Sequence, residues 1–123
     1  AQGHVYFANY LTFCDEALAA YMRHLGCPWQ DLVASGVDMV YRASRAEYLG
    51  SATFEMRLSI EPRVVRVGNT SVTVGYAVRG PDNAANAEVE HTSVCVAVKS
   101  GEPVAVPSRL REVFALVPDS ERW

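Results

Sequence analysis

The side chains able to move a proton or attack carbon are few in this chain, and their neighbours already sort them. Its 123 residues include three histidines and three cysteines. His4 stands between Gly3 and Val5, just ahead of a run with helical spacing. An imidazole there could orient a water or hydrogen-bond a substrate oxygen; the alternative is that it ties down the loop through a backbone carbonyl. Asp15 falls at the margin of an apolar helical stripe, where a carboxylate could be desolvated. The alternative is a solvated helix residue or an ion pair with an arginine. Glu16 projects away from that stripe and reads as surface or subunit contact. His24 precedes Gly26 and is placed to satisfy helix-end carbonyls. His91, between Glu90 and Thr92, reads as a sheet-face or interface residue rather than a base. Cys14 faces the core and is not proposed as a nucleophile. No Gly-x-Ser-x-Gly elbow is present, so an α/β-hydrolase triad has no foothold.

The elements that must position these groups follow from periodicity. From about Tyr10 to Leu25, the apolar residues Leu11, Cys14, Leu18, Tyr21, Met22 and Leu25 share one stripe at 3.6-residue spacing. Gly26 and then Pro28 predict where this helix stops. Asn9 is a good candidate for its N-cap. Beyond it the chain reads as strands. Val37 to Leu49 is a long extended run. Phe54, Met56, Leu58 and Ile60 alternate with polar residues, and Val64 to Val67 continues that strand after a kink at Pro62. Gly68-Asn69 marks a turn, Val72 to Val78 alternates again, and Gly80 to Asn83 is a loop. Glu88 to Lys99 is a strand with small or apolar residues on both faces, which predicts a central position. Gly101-Glu102-Pro103 turns the chain, and Pro107 stands at the start of a short helix with Leu110, Val113 and Phe114 on its apolar side. One long helix with a wide buried stripe needs a flat cover, and four strands joined by short turns supply an antiparallel sheet. The expectation is a single α+β domain over residues 1–123.

Composition narrows the function classes. Half the residues are hydrophobic and 20% are charged, as in a globular protein. At this length folding buries about two-thirds of the unfolded surface, so no staples are required. Net charge is −3 with only 11 Lys and Arg, which leaves no basic footprint for nucleic acid. No apolar run approaches the ~20 residues of a membrane span. Cys14, Cys27 and Cys95 are odd in number with no C-x-x-C spacing, which argues against disulfides and against a zinc site, and favours a reducing, cytoplasmic setting. No cofactor is expected. The sequence opens in mid-motif at Ala1, so residues are expected upstream, including a strand that would complete the wrap around the helix.

The run Gly3-His4-Val5-Tyr6-Phe7-Ala8-Asn9-Tyr10-Leu11 resembles the signature of hotdog-fold thioesterases of the 4-hydroxybenzoyl-CoA thioesterase-like family, at the turn into that fold's long helix. Three later segments agree in order. Glu47-Tyr48-Leu49 is similar to the family's Tyr-Leu segment, Val67-Gly68-Asn69-Thr70-Ser71 to its glycine turn, and Val104-Ala105-Val106-Pro107 with Leu110 to its ending. The family's acidic residue would fall immediately before Ala1. Ser51 and Phe54-Glu55 stand where many members carry Pro and Gly-Asp. The opening motif is also similar to thioesterases for 1,4-dihydroxy-2-naphthoyl-CoA and to those of enediyne polyketide synthases, which manage without the acidic residue.

The resemblance implies a hotdog fold and hydrolysis of an acyl-CoA or acyl-carrier-protein thioester. It implies that the backbone N–H of Phe7 is the oxyanion donor, because the first amides of a helix lack partners and a well-placed donor contributes roughly 3–4 kcal/mol. His4 and Asp15 are the side-chain candidates, Asp15 by contacting the acyl group. Gly3, Val5, Tyr6, Asn9 and Tyr10 are candidates to line the pocket. Arg63, Arg66 and Arg79 near strand ends, with Arg109 and Arg111, could form a rim for CoA phosphates or an acidic carrier protein; the alternative is solvated strand ends. Asn69, Thr70 and Ser71 sit where the family's turn approaches the pantetheine arm. Edge-to-edge homodimers with sites at the subunit seam, and often homotetramers, are implied too. The alternatives are a non-catalytic acyl-CoA-binding hotdog protein and a hotdog dehydratase.

Overall fold

The computed structural model describes residues 7–48, 59–80 and 85–115. Its elements are α1 (Phe7–His24), α2 (Trp29–Ala34), β1 (Val37–Tyr48), β2 (Ser59–Val67), β3 (Ser71–Arg79), β4 (Ala85–Ala97) and α3 (Ser108–Ala115). The expected upstream strand and the alternating run Phe54 to Leu58 lie outside the described residues.

The buried stripe of α1 consists of Cys14, Leu18 and Met22, one helical turn apart, flanked by the half-buried Tyr21 and Leu25. The helix stops as its sequence predicts. Gly26 adopts φ +80°, the Cys27 N–H donates to the Met22 carbonyl at 2.9 Å, and the Gly26 N–H donates to the Arg23 carbonyl at 3.1 Å. Those two bonds are the paired closure of a left-handed helix end. The start differs from expectation. Residues Phe7 to Asn9 are already helical, so Asn9 lies inside the first turn and is not the N-cap. No glycine or proline stands between Val5 and Tyr10 to halt the helix. The short α2, with only Leu32 buried, was not expected; six residues give too few turns for periodicity to register.

The four described strands form one antiparallel, curved sheet in the order β1-β4-β3-β2. The strand with small residues on both faces, β4, is central as expected. Registers of Val72 with Ser93, Val74 with His91, Tyr76 with Val89 and Val78 with Ala87 put these residues on the face covered by α1. Thr73 with Thr92, Gly75 with Glu90 and Ala77 with Glu88 lie on the outer face. Pro62 does not kink β2. The register shifts at Val65 instead, since β2 pairs only with β3 among the described strands and an edge position tolerates a missing N–H. A second bulge falls between Tyr41 and Ala43 on β1.

Beyond β4, α3 plugs the end of the core with Leu110, Val113 and Phe114. The Pro107 carbonyl accepts the Arg111 N–H at 2.9 Å, so Pro107 stands just before the helix, where no N–H is missed.

Candidate active site at the edge of strand β1

The N-terminus of α1 is one chemical resource. No acidic residue lies in its first turn, so no side chain there offsets the positive end of the helix. Phe7, Asn9 and Tyr10 belong to that turn. Gly3, His4, Val5 and Tyr6 lie outside the described residues.

The second resource lies halfway along α1. Asp15 accepts a hydrogen bond from the Tyr41 hydroxyl, contributed by β1. The Tyr41 ring meets the His91 imidazole edge-on, with centroids 4.9 Å apart, and the Tyr76 ring lies 5.3 Å from the same imidazole on its other side. Four elements therefore converge on one polar cluster: α1, β1, β3 and β4. Tyr41 and Asp15 form its open side, for Tyr41 is 47% exposed. His91 and Tyr76 form its floor, at 2% and 0% exposure.

Burial governs the protonation of this cluster. Desolvation pushes the Asp15 carboxyl above the usual carboxylate range, and the attraction of His91 pulls it partly back. Desolvation holds His91 below the ordinary imidazole value, against the opposing pull of Asp15. Tyr76 is driven far upward by burial, with Cys14 and Asp15 adding to it. The Cys14 thiol is pushed up to about 12, first by burial and then by Asp15, so it stays protonated at neutral pH and is no nucleophile.

Both His91 ring nitrogens and the Tyr76 hydroxyl have no hydrogen-bond partner among the described residues. The outer face is different: Thr73 and Thr92 share a hydrogen bond at 3.0 Å, and Arg45 pairs with Glu90 at 3.3 Å.

His91 and Tyr41 were missed as site residues from sequence. His91 is on a sheet face, as expected, but on the one buried beneath α1. The available signal was parity: His91 alternates in step with Val89 and Cys95, which are buried. Tyr41 alternates with Met39, yet the bulge that follows it hides the pattern.

The arginines do not form one cluster at strand ends. Arg63 sits mid-strand on the outer face opposite Gly75, donating to Glu61 at 3.1 Å and to the Pro62 carbonyl at 3.1 Å. Arg66 shares that face and is exposed, whereas Arg79 lies at the far end of β3 opposite Ser59. Arg111 donates to the carbonyls of Gly68 at 2.7 Å and Asn69 at 3.4 Å, so it fastens the β2–β3 turn. The backbone of that turn is engaged further: the carbonyl of Asn69 accepts from Val106 and that of Thr70 from Cys95.

A cleft of about 390 Å³ beside β1 and β4 is lined by Arg45, Ala46, Glu47, Glu88, Val89 and Glu90. Three carboxylates against one guanidinium make it a poor seat for phosphate. No three of His, Cys, Asp and Glu gather as a metal ion requires among the described residues, and no helix there is long and apolar enough to cross a membrane.

Comparison with known proteins decides the family. The model of the Thioesterase superfamily matches residues 2–87. The chain belongs to the thioesterase superfamily. A curated protein of Aquifex aeolicus (strain VF5), named "Putative esterase", is 27% identical over 115 residues, covering 93% of this chain and 87% of that protein. A solved structure from Pseudomonas aeruginosa strain PAO1 is 29% identical, with TM-score 0.80 over 96% of this chain and 82% of the other. The DHNA-CoA thioesterase of Staphylococcus aureus is 16% identical, with TM-score 0.84 over 92% of this chain and 78% of its own. At that identity it speaks for the architecture, which is the hotdog fold expected from the opening motif.

Proposed function

We propose that this thioesterase-superfamily member hydrolyses an acyl-CoA or acyl-carrier-protein thioester at a seam between two copies of the chain. One observation carries the reading: a partly desolvated carboxylate, Asp15, is held at an open sheet edge by Tyr41, on a helix with no acidic residue in its first turn. A carboxylate poised above its ordinary range is a better general base, since it comes closer to the pH at which it must work. Asp15 takes a proton from water as the hydroxide oxygen bonds to the acyl carbon. The carbon–sulfur bond then breaks, and that proton passes to the departing thiolate. The products are a free acid and a thiol.

The oxyanion donor is the backbone N–H of Phe7, with His4 orienting the water and Gly3, Val5, Tyr6, Asn9 and Tyr10 lining the acyl pocket. Phe7 and Asp15 are eight positions apart on one helix, about 12 Å along its axis at 1.5 Å per residue. An Asp side chain does not bridge that span. The two groups serve one carbonyl when Phe7 comes from one chain and Asp15 from its two-fold partner. The reading therefore calls for a homodimer or a homotetramer built from it. Arg63, Arg66, Asn69, Thr70 and Ser71 form the CoA-binding rim, with Arg66 the exposed cation. A dehydratase is disfavoured, because His91, the one histidine of the described strands, is too deeply buried to reach substrate as a base.

A panel of aromatic and aliphatic acyl-CoA and acyl-carrier substrates, read with a thiol-trapping reagent, tests the reaction. Thiol release is expected from at least one. Binding without release from any of them would replace the hydrolase with an acyl-CoA-binding protein. Light scattering at micromolar concentration tests the seam, and a monomer would remove it.

A further inference from the structure

Burying an imidazole with both nitrogens unpaired costs free energy, because each forgoes the hydrogen bond that water would supply. His91 nevertheless fills a slot on β4 between Val89 and Cys95, where an apolar side chain would carry no such cost. Such an exception in a packed face asks for a reason. The reason lies across the slot. His91 faces the helix that carries Asp15, and the side chain wedged between imidazole and solvent is Tyr41, whose hydroxyl donates to that carboxylate.

We propose that His91 and Tyr41 are positioning residues for Asp15: Tyr41 holds the carboxylate in one orientation from the open side, and His91, packed edge-on beneath the Tyr41 ring, holds that ring in place. The inference rests on Asp15 being the working carboxylate of the proposed hydrolase. The coupling itself is a property of the folded chain and exists without substrate.

The electrostatic surroundings support it. The groups facing His91 are Asp15 from α1, Tyr41 from β1 and Tyr76 from β3, and Cys14 of α1 faces Tyr76 in turn. Of these only Asp15 is charged near neutrality, because burial keeps Cys14 and Tyr76 protonated. Glu90 and its partner Arg45 lie on the opposite face of the sheet. Asp15 and His91 each favour the other's charged form, while burial disfavours both. Removing His91 therefore leaves burial unopposed, and Asp15 takes up its proton at higher pH. Removing the Tyr41 hydroxyl acts in the same direction, since that bond is made to the ionised form.

The test uses the full chain and two readouts. Carboxyl carbon NMR follows the titration of Asp15 in wild type, His91→Gln and Tyr41→Phe. The expected result is a midpoint displaced to higher pH in both variants. The acid limb of kcat/KM on the best substrate should move with it, and kcat should fall by about tenfold while KM changes less. Linkage is reciprocal, so the His91 imidazole in Asp15→Asn should titrate at still lower pH than in wild type. That substitution is at the surface and keeps the question answerable should His91→Gln fail to fold.

Unchanged titrations of Asp15 in Tyr41→Phe and of His91 in Asp15→Asn would overturn the coupling, whatever the activity. Displaced titrations in a chain that hydrolyses no thioester would uphold the coupling and remove the hydrolase. Hydrolysis whose pH profile ignores both variants would leave the hydrolase standing without these positioning residues.

Discussion

The two faces of the sheet treat polar groups in opposite ways. On the outer face Thr73 bonds Thr92, Arg45 meets Glu90 and Arg63 meets Glu61. The two ion pairs lie near water, where losing one partner is cheap, and the buried Thr73 has its hydroxyl satisfied by Thr92. On the face beneath α1, Val72, Val74, Val78, Val89 and Cys95 make an apolar layer, and His91 and Tyr76 interrupt it with atoms that find no partner among the described residues. Polar groups that find partners cost the fold little. Unsatisfied ones in a packed layer mark a place where stability has been given up, and here that place lies directly below the carboxylate proposed to work.

Substitutions on the two faces should therefore separate widely. The largest expected effect is Asp15→Asn, which should lower kcat by roughly 10²–10⁴-fold if the carboxylate is the general base. The same change should leave the fold slightly more stable at neutral pH. A carboxyl whose folded value is raised contributes stability fully below its unfolded value of 3.8 and loses it as pH rises through the folded value. Urea denaturation at pH 7 checks the stability, and steady-state kinetics the rate.

Leu18→Ala, in the middle of the α1 stripe, should cost about 2–5 kcal/mol in denaturant unfolding through its lost contacts and the cavity left behind. A value under 1 kcal/mol would mean that α1 is not the principal cover of this face.

Acid should loosen the inner face first. Burial depresses His91, so its contribution is present above the unfolded value of 6.5 and is lost as pH falls below that value towards the folded one. Melting temperature should drop through that window in wild type and drop less in His91→Gln. Parallel pH curves for the two proteins would show that His91 is not held neutral.

On the outer face, Arg45→Ala should change stability by about 0.2–1 kcal/mol, since the side chain is 80% exposed and its ion pair is screened. Arg66→Ala should raise KM for a CoA thioester and leave kcat nearly unchanged, because a phosphate contact distant from the carbonyl binds ground and transition states alike. An equal loss in kcat would place Arg66 at the reaction centre instead.

Much of the architecture could be read from particular residues. Cys14, Leu18 and Met22 declared the helix, Gly26 and Pro28 its end, and Val94 to Val98 the central strand. Asn9 misled because capping preference is local, whereas the helix runs on until something stops it. Pro62 misled because the cost of a missing N–H depends on which strand is an edge. In the site, Asp15 was visible at the margin of its stripe, but its partners were not. Tyr41 and His91 are separated from it in sequence by whole elements, and neither belongs to a motif.

By itself the sequence determined the periodicities, the breakers and the opening motif, because helix pitch, strand alternation and φ preference act within a few neighbouring residues. Only the tertiary structure decided that Asp15, Tyr41, His91 and Tyr76 meet. Strand order and register bring distant residues to one point, and burial there, which no short window of sequence encodes, sets which protons they hold.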